Sequence, residues 1–219
     1  MLQGHTLQTV LASDLRTGTA FHIWSFLRGL TACMFLLLSG FTFTIATHRR
    51  WAEHLESFET NGRRLRRFGF FLLLGYALHF PTARLANLDG MSQERWRSFL
   101  VVDVVQCIAV MLTLLQGLVL VTRTPTRFAR AAAAGCVGIV VVTPAVWRFD
   151  WTVPLPVGLA AYLSPSTGSL FPLFPWGAYV LLGAVLGALH IRHGNLSGPR
   201  SANRILLPGS AALLALTII

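Results

Sequence analysis

The feature that most constrains this chain is a series of uncharged apolar runs, each about as long as a bilayer is thick. The hydrocarbon core of a membrane is roughly 30 Å across, and a helix of about 20 apolar residues spans it. Apolar residues make up 54% of the 219 residues and charged residues only 12%, about half the charged share of a typical soluble domain. An ordinary soluble fold is therefore excluded. The pattern predicts an all-α, polytopic transmembrane helical bundle.

Five of the runs are long enough to be complete spans, at about 24–46, 65–80, 99–121, 129–147 and 171–190. The second is short and stops near Pro81, because proline has no amide hydrogen to continue a helix. Two further runs, 1–11 and 205–219, predict partial first and last spans. We expect residues 1–219 to be a single domain that is truncated at both ends.

Arginine is distributed unevenly among the loops and predicts the orientation. The loops at 47–67, 122–130 and 191–204 contain twelve arginines, whereas the alternate loops contain five. The positive-inside rule places the arginine-rich loops in the cytoplasm. The net charge of +10, which would suggest nucleic acid in a soluble protein, is explained by this topology, and no nucleic-acid partner is expected.

Several polar residues fall inside or beside the predicted spans, near the outer surface. Ionisable groups in hydrocarbon cost several kcal/mol, so they are expected to face the protein interior or a wet cavity. The polar residues of this group are His5, His22, Arg28, Ser39, His79, Asp103 and Gln106. An interhelical ion pair between Arg28 and Asp103, and interfacial histidines, are the structural alternatives to a reactive site. The three cysteines lack metal-ligand spacing, and no metal is predicted.

A second cluster lies in the first cytoplasmic loop, where four arginines occupy five positions: Arg63, Arg64, Arg66 and Arg67. Arginines beside a span commonly serve only to orient it. Guanidinium groups at a helix start also bind phosphate well, and anionic lipid headgroups would be an equivalent ligand. The cluster therefore predicts either a topological signal or a phosphate site.

Five short motifs, taken in order, resemble those of the transmembrane acyltransferase superfamily. They are MLQGH at 1–5, FLRGLT at 26–31 running into LSGF at 38–41, RRLRR at 63–67, DVVQCIA at 103–109 and FPLFPW at 171–176. The heparan-α-glucosaminide N-acetyltransferase-like proteins are the most similar branch, and the bacterial acyltransferase-3 proteins are related to it. The resemblance covers nearly the whole chain.

This resemblance implies an enzyme that moves an acetyl group from cytoplasmic acetyl-CoA to a hydroxyl or amine of an extracytoplasmic glycan or similar acceptor. It implies no metal, and a multi-pass location in a bacterial cytoplasmic (inner) membrane. His5 or His22 would be the base or acyl carrier, Asp103 would orient an imidazole or polarise the acceptor, and Arg28 would stabilise the oxyanion.

The remaining residues complete this hypothesis. The arginines at 63–67 would hold the CoA phosphates, and His79, Gln106 and Ser39 would contact the substrate. A different class stays open at this stage, namely a transporter or flippase for an anionic or sugar-linked lipid, in which the intramembrane polar groups would form the substrate or proton pathway.

Overall fold

The computed structural model describes residues 18–80 and 92–193, and every regular element in these two segments is helical. The helices are α1 (Thr19–His48), α2 (Trp51–Glu56), α3 (Phe58–Leu78), α4 (Gln93–Phe99), α5 (Val104–Thr122), α6 (Pro125–Arg148), α7 (Val157–Ala160) and α8 (Leu173–His193), with a 3₁₀ turn at Pro165–Thr167. This confirms the all-α helical bundle. His5 and the two predicted partial spans lie outside the described residues.

Four of these helices are long and apolar enough to cross a membrane, namely α1, α5, α6 and α8. They match four of the five predicted spans. The fifth, 65–80, lies within α3, whose first two turns are polar and rich in arginine. The predicted loop at 47–67 is corrected, because most of it is helical: α2 fills its middle, and Ser57 starts α3 by accepting a hydrogen bond from the Thr60 N–H at 3.1 Å.

The start of the predicted span 99–121 is also corrected. Helix α5 begins only at Val104, and Asp103 is its extended N-cap residue, with Oδ1 accepting from the Val104 N–H at 2.6 Å. Asp103 is therefore held by the helix start and lies outside the helix interior. The residues before it bind the segment 149–172: the Val102 carbonyl accepts from the N–H groups of Leu170 and Phe171 at 3.1 and 3.0 Å.

Helix α5 lies at the centre of the bundle and packs against α1, α3, α6 and α8. Its buried face includes Cys107, Leu115 and Val119, each 0% exposed. A helix with neighbours on several sides needs apolar residues around most of its circumference. This explains why 99–121 is the most uniformly apolar run of the sequence.

Helices α1 and α8 pack closely where they cross at glycines. The Gly183/Gly187 spacing in the sequence indicates such close packing. A Cβ added to Gly183 would collide with the Leu37 carbonyl, and one added to Gly40 would collide with the Val180 carbonyl. A Cβ on Gly187 would lie 2.9 Å from the Phe41 carbonyl oxygen. The two backbones are therefore in direct contact, which is how small residues promote association of membrane helices.

We expect Gly183→Ala to destabilise the protein by about 1–3 kcal/mol, because the obstructing atoms are backbone and cannot turn aside. Gly138→Ala in α6 is the matched control, since nothing lies within 4 Å of its added Cβ. That substitution should be neutral or should stabilise by up to about 1 kcal/mol through helix propensity. Thermal unfolding of both variants in detergent measures the difference. Equal melting temperatures would show that the α1–α8 contact is looser than described.

Candidate active site

The helix ends divide the polar groups of the bundle into two sets. The end formed by the last turns of α1, α5 and α8 and the first turns of α3 and α6 carries most of the described arginines and is called the basic end. The opposite end, called the histidine end, contains the last turn of α3, the start of α5 and the segment 149–172. At this end the structure brings together His79, Asp103, Tyr76 and Tyr162.

His79 closes helix α3 and faces the carboxylate that starts helix α5. Its Nε2 lies 3.6 Å from Asp103 Oδ2, with the two side chains 30% and 33% exposed. Its Nδ1 lies 3.0 Å from the carbonyl oxygen of Gly75, one turn earlier in α3. Both groups are therefore partly shielded and still accessible from the histidine end.

The Gly75 contact determines which ring nitrogen of His79 carries the proton. A carbonyl oxygen can only accept, so Nδ1 must be the donor. In the neutral ring, Nε2 then has its lone pair free and faces Asp103 across a gap slightly longer than a hydrogen bond. Such a ring can accept a proton at Nε2.

Gln106 lies one turn below Asp103 and is fully buried. Within residues 18–80 and 92–193, neither Nε2 nor Oε1 of its amide has a hydrogen-bond partner. Gly75 makes room for this amide, because a Cβ there would lie 2.7 Å from Gln106 Cδ. An unpaired buried amide costs about 1–3 kcal/mol, which singles out Gln106 at the histidine end as a group in need of a partner.

Two tyrosines connect α3 to the segment 149–172. The hydroxyl groups of Tyr76 and Tyr162 lie 2.9 Å apart, and the Leu173 N–H donates to the Tyr162 carbonyl at 2.7 Å. Burial, together with the bond to Tyr76, raises the pKa of Tyr162 above its ordinary value. Tyr162 therefore stays a phenol at physiological pH and acts as a hydrogen-bonding group rather than as a base.

For the other residues predicted at this end, the structure describes less, or shows a different hydrogen-bond partner. His5 lies outside the described residues. His22 and Arg28 belong to helix α1 by their backbone, and only the backbone of these two is described. The Ser39 hydroxyl donates to the Leu36 carbonyl of its own helix at 2.6 Å. The predicted roles of these four residues stay predictions.

At the basic end, Arg64 points into the bundle. Its Nη1 donates to Thr47 Oγ1 at 2.8 Å and to Gln116 Oε1 at 3.0 Å, and the guanidinium lies 4.7 Å from the centre of the Phe43 ring. Gln116 in turn donates to Asn61 Oδ1 at 2.7 Å. Arg64 therefore joins α1, α3 and α5 through a buried polar network.

The structure does not bring the four arginines of 63–67 together. Arg64 is used inside the bundle, whereas Arg63 is exposed and lies 3.9 Å from Glu59. Arg66 and Arg67 are exposed as well. The network around Arg64 escaped the sequence reasoning, although a signal was present: Gln116 is a polar residue within the apolar run 99–121.

We expect Arg64→Gln to lower the free energy of unfolding by about 1–3 kcal/mol, because it leaves the buried Gln116 carbonyl oxygen without its donor. The neighbouring substitution Arg63→Gln removes the same charge from an exposed ion pair. It should change the free energy of unfolding by less than about 1 kcal/mol. Thermal unfolding of the two variants, measured side by side, gives the comparison. Equal losses would mean that charge, and not the network, is responsible.

His54 in α2 makes the stability of the folded protein depend on pH. The ring is 4% exposed and its Nδ1 has no hydrogen-bond partner in the described part of the chain. Burial, and then the positive charge of Arg64, hold the pKa of His54 below its ordinary value. The folded protein therefore disfavours protonation of this ring.

Because the pKa of His54 is lower in the folded state, the unfolded state binds more protons as the pH falls through about 6.5. Stability should thus be fully present above that pH and should decrease below it. In His54→Gln the decrease between pH 7 and pH 5 should be smaller. Melting temperatures of the wild type and the variant across this range provide the measurement, and parallel curves would contradict the role of His54.

The fold and the two polar ends define a multi-pass membrane protein whose candidate acid–base groups and arginines lie at opposite ends of a helical bundle. Within the described residues, no group of three or more His, Cys, Asp or Glu side chains is arranged to hold a metal ion.

Comparison with protein families identifies the class more closely. The family model described as heparan-alpha-glucosaminide N-acetyltransferase, catalytic, matches residues 1–215. The chain belongs to this family of membrane acetyltransferases, which confirms the resemblance seen in its motifs. Comparisons with curated proteins and with solved structures give no match.

Proposed function

We propose that this protein transfers an acetyl group from acetyl-CoA, bound from the side of the basic end, to a hydroxyl or amine of a glycan or similar acceptor at the histidine end. The observation that carries the proposal is the pairing of His79 with Asp103 across 3.6 Å. The family supplies the class of reaction, and this pair supplies the acid–base group that the reaction needs.

His79 acts as the general base in this proposal. Its Nδ1–H is held by the Gly75 carbonyl, so Nε2 accepts the proton of the acceptor hydroxyl or amine as that atom attacks the thioester carbonyl. Asp103 stabilises the imidazolium formed in this step. The tetrahedral intermediate then expels the CoA thiolate, which receives the proton from the imidazolium, and the acetyl group stays on the acceptor.

Stabilisation of the oxyanion requires a hydrogen-bond donor near the reacting carbonyl. Gln106 is suited to this role because its buried amide has no partner in the described residues and lies one helical turn from Asp103. Arg28 was predicted for the same task and stays a candidate. Either donor would act in surroundings of low dielectric constant, where a hydrogen bond to a developing charge is strong.

His5 and His22 are the alternatives to His79 as base or acyl carrier, as the family resemblance implies. A covalent acyl-histidine would transfer the acetyl group in two steps, whereas a base would need only one. The orientation follows from the arginine distribution, which places the basic end in the cytoplasm. We propose the inner membrane of a bacterium as the location, with the acceptor on its outer side.

The test is acetyl transfer by the purified protein in detergent, followed as CoA release from acetyl-CoA in the presence of candidate acceptors. His79→Ala should lower kcat by about 10²- to 10⁴-fold, the usual contribution of a positioned base. Asp103→Asn should lower kcat too, because the imidazolium formed during the reaction loses its counter-charge. The asparagine oxygen still caps helix α5, so folding is preserved.

Asp150→Asn is the matched control, since it removes an exposed carboxylate from the same end of the protein and should leave kcat unchanged. His5→Ala and His22→Ala complete the set. Full activity in His79→Ala with loss in either of these two variants would reassign the base. No CoA release by the wild type with any acceptor, together with no acetyl-CoA binding, would refute the proposed function.

A further inference from the structure

A cleft of about 730 Å³ opens at the basic end, away from the arginines of 63–67. It is formed by the last turns of α1 and α8, the first turns of α6, and Trp51 at the start of α2. Its size is within the range of roughly 300–1,000 Å³ that is typical of small-molecule sites.

The cleft is positively charged. Arg130 and Arg192 line it, together with His48, and none of the described lining residues is acidic. The first turn of α6 also contributes to the wall through Pro125 and Thr126, but its positive helix end is offset by the negative ends of α1 and α8. The charge of the cleft therefore comes from the arginine side chains. Such a wall attracts an anion that carries more than one charge.

The rest of the lining is flat and apolar. Trp51 is held in place from two directions: its Nε1 donates to the Arg123 carbonyl at 3.1 Å, and its ring packs edge-on against Phe128 at 5.8 Å. Ala129, Ala133 and Ala188 leave the space between the helices open. A fixed indole beside small side chains suits a flat heteroaromatic ring.

Two arginines and an aromatic wall together fit a phosphorylated nucleotide. We propose that this cleft binds the nucleotide end of the acyl-CoA donor, with Arg130 and Arg192 contacting its phosphates; this inference rests on the proposed function. The alternative site at 63–67 is weaker by the same criteria, because Arg64 is engaged with Thr47 and Gln116 and the side chains of Arg63, Arg66 and Arg67 are exposed.

The charge test measures the binding of CoA, and of adenosine 3′,5′-bisphosphate as the isolated nucleotide, to the full chain in nanodiscs of neutral lipid. Arg130→Gln and Arg192→Gln should each weaken both ligands by roughly ten-fold or more, the usual effect of losing one charged hydrogen bond. Arg127→Gln is the matched control, since it removes the same charge one turn away on the same helix, outside the cleft, and should leave affinity nearly unchanged.

The steric test leaves the charge intact. Ala133→Phe places a ring inside the cleft and should abolish the binding of both ligands, whereas Ala134→Phe places it on the exposed side of α6 and should not. Melting temperatures of the two variants confirm that both are folded. Phosphopantetheine, which lacks the nucleoside, should bind weakly to the wild type and should be little affected by Arg192→Gln.

The outcomes separate the two proposals. If the wild type binds CoA and releases it from acetyl-CoA, but the cleft variants bind like their controls, the cleft assignment is refuted and the proposed function stands. Weakening by Arg66→Gln or Arg67→Gln instead would place the phosphates at 63–67. Anionic lipid that binds the wild type more tightly than Arg130→Gln, while CoA binds both equally, would make the cleft a lipid site. If the wild type binds no CoA, both proposals fail.

Discussion

Polar groups within a bilayer must find their partners inside the protein, because hydrocarbon offers none. Along α1, the hydroxyl groups of Ser39, Thr44 and Thr47 each donate to a carbonyl one turn earlier in the same helix. The Thr47 oxygen also accepts from Arg64, which extends to Gln116 of α5. One arginine thus joins three helices at the point where they reach the basic end, and the packing of the bundle there depends on it.

Against this background, the polar groups that are not fully paired are informative. Gln106 has an amide without a partner in the described residues, and His79 faces Asp103 at a distance slightly too long for a hydrogen bond. Both residues lie where α3 ends and α5 begins, beside Gly75. The missing side chain of Gly75 leaves room for Gln106, and its carbonyl oxygen accepts from His79 Nδ1. A purely structural cluster would be expected to close these contacts, so their openness favours a site for a ligand.

The two ends of the bundle carry different polar groups, and the reaction class of the family suggests a reason for this difference. An acetyltransferase whose donor and acceptor lie on opposite sides of a membrane needs groups for phosphate on one side and acid–base groups on the other. Under the proposed function the described residues offer both, and the candidates on the basic side are the arginines of 63–67 and the pair Arg130 and Arg192. Arg64 stabilises the fold, whereas Arg130 and Arg192, which are far apart in the sequence, line one cleft.

The sequence by itself determined the membrane-spanning class, four of the spans and the family, because apolar run length and short local motifs carry these properties. It also indicated that His79, Asp103 and Gln106 lie at a similar depth, in the outer half of the membrane. Only the tertiary structure decided that Asp103 caps α5 beside His79, that Gln106 lies against Gly75, and that Arg64 turns inward. These facts depend on which helices are neighbours and how they are rotated. Helix rotation in a bundle is decided by backbone approach at glycines and by long-range hydrogen bonds, and neither appears in a local pattern of residues.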